Sequence, residues 1–225
     1  MPRTARMAPG GMVFHVLNRA NAHARIFGKE HDYAAFERVM KETLARKPMR
    51  ILGYAIMPTH WHLVLWPEHD GELGAFMQRL TTTHVRRWHL HRGSVGCGHL
   101  YQGTYKSLPI EADEHLLTVL CYVERNALRA GLVERAEEWR WSSLWRWRHP
   151  EVTEDKPPLT AWPIDRPRQW LLQVNRPQGK TELEALQTAV QRGRPFGSST
   201  WQATTAQELG LESTFQPRGR PRKRQ

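Results

Sequence analysis

The stretch MRILGYAIMPTHWHLVLW, Met49 to Trp66, places two short apolar runs on either side of Pro58-Thr59. Each run is strand-length and rich in Ile, Leu, Val and aromatic residues, so the pair reads as two strands broken by a turn. Working upstream, EHDYAAFERVMKETLARK (Glu30 to Lys47) repeats Tyr33, Phe36, Val39, Met40 and Leu44 at helical spacing. It begins with acids, ends with Arg-Lys and is stopped by Pro48, as a helix should be. Before it, MVFHVLN (Met12 to Asn18) follows Pro-Gly-Gly and reads as a first strand.

Working downstream, GELGAFMQRLTTTHVRRWHLHR (Gly71 to Arg92) reads as a basic amphipathic helix. The loop GSVGCG leads to a fourth strand in HLYQGTYKSLPI, and EADEHLLTVLCYVERNALRAGLV makes a third helix closed by Gly131. The order β-α-β-β-α-β plus a helix predicts an α+β, ferredoxin-like split βαβ fold, an antiparallel sheet with helices over one face. This core is expected to span residues 1–148. A proline-rich linker follows over 149–180. Residues 181–225 then form a small extension, part helical and part disordered, with a candidate helix-turn-helix and the basic tail RGRPRKRQ.

Composition narrows the partner. Lys and Arg number 33 against 22 Asp and Glu, a formal net charge of +11 over 225 residues. Such an excess favours a polyanion, most often nucleic acid, because each neutralised phosphate releases counterions. No membrane partner is expected, because neither a stretch of about 18 apolar residues nor a signal-peptide pattern is present. Cys97 and Cys121 stand in unrelated contexts, which excludes a disulfide framework or a CxxC zinc site and suggests a reducing cytoplasm. Among the ten tryptophans, several interleave with arginine in WRWSSLWRWRH (Trp139 to His149). Such a run can stack on bases or simply pack a helix onto the core.

Along a strand, residues i and i+2 share a face, so His60 and His62 project together while Trp61 points away. Two imidazoles are either ordinary strand histidines or half of a metal site, and a metal needs a third converging group. The third helix offers one. At about 100° per residue, Leu116, Leu120, Val123 and Ala127 fall on one face, whereas Tyr122 lies nearly opposite Leu120. Its ring is therefore solvated or turned towards a neighbouring element. Asn126 follows one turn later and carries a carbonyl oxygen that Mg²⁺ or Mn²⁺ accepts readily.

MPTHWHLVL, followed by YVERNALRAGLV and WRWSSL, resembles the single-tyrosine HUH transposases, and within them the REP-associated tyrosine transposases of bacteria. HVLNRANAHARIF and GHLYQGTYKSLPIEADEHLL match the same family's flow, so the resemblance covers roughly residues 10–148 and, more loosely, GRPFGSSTW. It implies His60 and His62 as the HUH metal ligands, Asn126 as the third ligand, Mg²⁺ or Mn²⁺ as the ion and Tyr122 as the nucleophile. It further implies cleavage of single-stranded DNA at or near hairpins through a 5′-phosphotyrosine, by a monomer or homodimer acting in the cytoplasm on the nucleoid. Many members carry Asn-Pro-Val where this chain has Asn126-Ala127-Leu128, which lets the helix run on but removes no catalytic group. Arg79, Arg86, Arg87 and Lys106 would track the single-stranded backbone. RGRPRK resembles an AT-hook, which implies minor-groove contacts from Arg218, Arg220 and Arg222 to A/T-rich duplex. Two other readings stay open: a non-catalytic nucleic-acid-binding regulator on this fold, and a metallo-hydrolase that uses water.

Overall fold

A computed structural model describes residues 7–216, so Arg218, Arg220 and Arg222 of the AT-hook-like tail lie outside the described residues. Four strands form one sheet: β1 (Val13–Arg19), β2 (Arg50–Met57), β3 (His60–Trp66) and β4 (Lys106–Ile110). Their order is β2-β3-β1-β4, and every pair is antiparallel. Between β1 and β2 runs α1 (Glu30–Leu44), and between β3 and β4 runs α2 (Glu72–His91). This is the ferredoxin-like arrangement that the sequence predicts.

Alternation along the strands sorts the side chains into two cores. Phe14, Val16, Trp61, Leu63 and Leu65 pack with Phe36 and Met40 of α1 and with Phe76 and Leu80 of α2. On the opposite face, Val13, Val64, Leu108 and Ile110 pack with Leu116, Val119 and Leu120 of α3 (Glu114–Glu124). Helices thus cover both faces, not only one. The reason is visible in β2, where every residue from Ile51 to Met57 is buried and neither face is fit for water.

The third helix is shorter than the sequence suggests. It pauses at Arg125, and one further turn, α4 (Asn126–Arg129), follows before Gly131 closes it with φ 67°. Past it come α5 (Ser143–Arg148), α6 (Trp170–Asn175), α7 (Lys180–Arg192) and α8 (Ser199–Glu208). Residues 149–180, read from sequence as a linker, carry α6, whose Trp170 and Val174 enter the second core. Leu186, Ala189 and Val190 of α7 do the same, and Phe196 bridges to Ile110 at the free edge of β4. The extension is therefore built onto the sheet face that also carries α3.

Gly53 sets how closely α3 approaches that face. A Cβ there would meet Leu120 Cδ2 at 2.7 Å and Ser143 Oγ at 3.2 Å. Both neighbours are buried, so Gly53→Val is expected to destabilise the chain by roughly 1–3 kcal/mol through overpacking. Urea unfolding followed by circular dichroism checks this.

Candidate active site

The antiparallel register decides which side chains meet. Leu17 pairs with His62, His15 with Val64 and Arg19 with His60, so His15, His60 and His62 all face α3. The His60 and His62 rings lie 5.0 Å apart. Tyr122, at the end of α3, sets its ring edge-on to His62, 5.8 Å away at 88°. It is only 7% exposed, so of the two options left by helical spacing the ring takes the neighbouring element. From α4, the Arg129 guanidinium lies 4.0 Å above the Tyr122 ring.

Both strand histidines are held by one nitrogen. His62 Nδ1 is 2.9 Å from His15 Nε2, and His60 Nδ1 is 3.0 Å from Thr59 Oγ1. Neither Nε2 has a hydrogen-bond partner among the described residues. Burial pushes the His60 pKa down to about 4, helped by Arg19 and Arg129. Burial also drives His62 well below the ordinary histidine value, with His15, His60 and the two arginines adding to it. Both imidazoles are accordingly neutral at physiological pH, the form that binds a metal.

Asn126 opens α4, is 4% exposed and leaves its amide nitrogen buried without a partner. The Nδ2 hydrogens are donors and hold no cation, so a metal here would use the carbonyl Oδ1 of the same buried amide. The donor set therefore suits a hard or borderline dication: two neutral imidazoles anchored from behind, and a buried amide one helical turn beyond the tyrosine. Among the described residues, groups of at least three His, Cys, Asp or Glu side chains close enough to share an ion are His31–Asp32–His91 and Glu111–Asp113–His115. The His60–His62 pair is not among these groups.

The expected DNA contacts separate. Lys106 is exposed at the start of β4 and lines a cleft with Tyr122, Asn18, Arg19, Gln187 and Gln191. Arg86 is exposed on α2 and borders a larger groove with Gln78, Thr82 and His89. The two share Asn18, Gln102, Gly103 and Thr104, so together they make one path from α2 to the tyrosine. Arg79 is exposed on the same helix. Arg87 instead turns to α1, where Glu42 Oε2 accepts its Nη2–H at 2.6 Å.

Two residues escaped the sequence reading. His15 supports His62, and its signal was its even spacing from Leu17 and Val13 in a strand. Arg129 covers the tyrosine ring, and its signal was its place seven residues, about two helical turns, after Tyr122.

A four-stranded antiparallel sheet in the order β2-β3-β1-β4, packed with helices, defines an α+β fold class. The IS200-like transposase family matches residues 10–126, just over half of the chain. The chain belongs to that family, which makes it a transposase-type protein. The fold is also shared with a REP-associated tyrosine transposase solved bound to a REP hairpin. That structure aligns with a TM-score of 0.55 and 16% identity, over 74% of this chain and 98% of its own. A Deinococcus radiodurans protein described as a candidate transposase aligns at a TM-score of 0.37 and 16% identity, over 52% of this chain and 88% of its own, too slight a likeness to argue from. No curated protein matches the sequence. No helix among the described residues is long and apolar enough to cross a membrane.

Proposed function

We propose that this protein is a metal-dependent single-stranded DNA endonuclease and strand transferase, with Tyr122 as nucleophile and His60, His62 and Asn126 as metal ligands. The observation that carries the reading is the contact of Tyr122 with His62 beneath Arg129, at the wall of a cleft that Arg19 and Lys106 also line. Mg²⁺ or Mn²⁺, when bound, would polarise the scissile phosphate and offset the charge developing on its oxygens.

The chain's own groups do the rest. Tyr122 Oη attacks phosphorus as its proton leaves to solvent. The Oη–P bond forms, the P–O3′ bond breaks, and the departing oxygen takes up a proton to become a free 3′-OH. The 5′ phosphate stays on the tyrosine. Because the phosphodiester is exchanged rather than hydrolysed, the 3′-OH of a second strand can reverse the step, which is strand transfer with no outside energy source. Arg129 fixes the ring and adds positive charge beside the reacting phosphate. Arg19 and Lys106 line the same cleft and suit a phosphate backbone, while Arg86 extends the path along α2. The REP hairpin held by the structural neighbour makes hairpin-bearing single strands the first substrate to try. Such an enzyme would act in the bacterial cytoplasm, on DNA of the nucleoid.

The test is covalent trapping. Labelled single-stranded DNA carrying a palindrome is mixed with the protein and Mg²⁺, Mn²⁺ or EDTA, then run in SDS. A shifted, protease-sensitive band is expected with either metal and not with EDTA. Tight binding without any adduct would instead favour the regulator, and metal-dependent cutting without an adduct would favour a water-using hydrolase.

His15 should matter through His62. His15→Ala removes the partner of His62 Nδ1 and leaves the ligand ring free to turn. Loss of such an outer contact is expected to weaken metal affinity about 10–100-fold. The Mn²⁺ concentration that gives half-maximal adduct measures this.

A further inference from the structure

A second group of metal-ligating side chains lies apart from the tyrosine, on the other face of the sheet. His31 and Asp32 sit in the first turn of α1, and His91 is the last residue of α2. His31 Nε2 is 3.3 Å from His91 Nε2 and 3.5 Å from Asp32 Oδ1, and one ligand atom from each of the three falls within a 4.8 Å span. A tetrahedral Zn²⁺ with Zn–N bonds of about 2.0–2.1 Å holds its ligand atoms about 3.3 Å apart. The His31–His91 and His31–Asp32 separations already match that spacing.

The orientation is as telling as the distance. The two rings meet edge to face at 74°, with their Nε2 atoms facing each other. Asp32 is 7% exposed and fixed through Oδ2, which accepts the Gly28 and Lys29 backbone N–H groups at 2.8 and 3.0 Å and Arg92 Nη2–H at 3.1 Å. That leaves Oδ1 directed at His31. Arg92 and the start of α1 oppose a cation here, whereas the carboxylate and the C-terminal end of α2 favour one. The other cluster, Glu111–Asp113–His115, does not compare. Its His115 Nδ1 is already paired with Asp113 at 2.8 Å, and Glu111 accepts the Ser198 N–H.

We propose that His31, Asp32 and His91 form a second metal site, one that takes a single Zn²⁺ and ties the start of α1 to the end of α2. The fourth position is open to water. Because α2 also borders the groove proposed for DNA, occupancy would stiffen one wall of that groove without touching the chemistry. This site is independent of the function proposed for Tyr122 and stands or falls separately.

The experiment is zinc uptake by the full chain, measured by equilibrium dialysis and elemental analysis for wild type, His31→Ala and His91→Ala. Both histidines are exposed, so neither change should harm folding, and circular dichroism verifies that. Wild type is expected to bind one more zinc per chain than either variant, whatever the His60–His62 pair takes up. The zinc-induced rise in thermal midpoint should shrink in both variants. Co²⁺ gives a second reading, an intense tetrahedral visible absorption in wild type that falls in both. Equal stoichiometry and equal thermal shifts in all three proteins would overturn the site and leave a plain surface histidine pair.

Discussion

Tyr122→Phe is expected to abolish covalent adduct formation, by at least about a thousandfold, while leaving hairpin binding within a few-fold of wild type. The structure makes this substitution unusually clean. The Tyr122 ring packs against His62 and His15 and lies under Arg129, and phenylalanine preserves those ring contacts. The hydroxyl has no protein hydrogen bond among the described residues, so its loss strands no buried partner. Stability should therefore change by well under about 1 kcal/mol. Lost adduct together with an unchanged unfolding midpoint would assign the defect to chemistry. Gel shift, trapping and thermal melting on one preparation check all three. Adduct persisting in the variant would move the nucleophile elsewhere.

The second large effect is a loss of stability in mild acid. His84 is buried against Phe27 and Phe36, with Nδ1 2.7 Å from the Tyr101 hydroxyl, and burial pushes its pKa down to about 3. His15 is likewise pushed to about 3 by burial. In the unfolded chain both titrate near 6.5. Below that pH the unfolded state binds protons that the folded state refuses, so stability falls as pH falls. At pH 5 each histidine costs about 2 kcal/mol relative to its neutral limit, and the two together about 4 kcal/mol.

Buried carboxylates pull the other way. Burial raises the pKa of both Glu37 and Glu124, partly countered by Lys156 at the first and by Ser143 and Trp170 at the second. The folded state therefore binds extra protons there, and acid favours it. The histidine share is best read as a difference. Whatever His84→Asn costs at pH 7.5, its further loss between pH 7.5 and 5 should be about 2 kcal/mol smaller than that of wild type. Urea unfolding at the two pH values gives both numbers. Parallel slopes would mean that His84 accepts a proton in the folded state.

Much of the architecture was open to reading because it is written in local patterns. HWHLVLW alternates for a strand, Tyr33-Phe36-Met40 repeats for a helix, and Pro48 and Pro58 mark the breaks. What the local pattern lacks is register. Only the pairing of β1 with β3 brings His15 beside His62, and nothing in HVLN by itself indicates the offset. The irregularity between Ile51 and Gly53 leaves Ile51 and Tyr54, three residues apart, in the same core, so simple alternation fails at that point. The helix layer on the second face is hidden from local pattern for a related reason. A strand buried on both faces is a continuous apolar run, and it does not say which element covers each side.

The surface was harder still. Arg86 and Arg87 are neighbours in sequence, yet about 100° of helical rotation sends one to the groove and the other to Glu42. Counting basic residues on a helix cannot separate them. Cleft-lining Gln187 and Gln191 belong to a segment whose sequence reads as a detached helical extension. Only its apolar face, seated on the second core, shows that it borders the tyrosine.

The central claim is that Tyr122 carries the 5′ end of a cleaved strand. Mass spectrometry of the trapped, nuclease-trimmed complex tests it most directly. After trypsin, the peptide from Ser107 to Arg125 holds Tyr122 as its only tyrosine. The account predicts a nucleotide 5′-phosphate on that residue, formed with Mg²⁺ or Mn²⁺ and missing with EDTA. A nucleotide on a different residue, or cleaved DNA bearing a free 5′ phosphate beside unmodified protein, would contradict it.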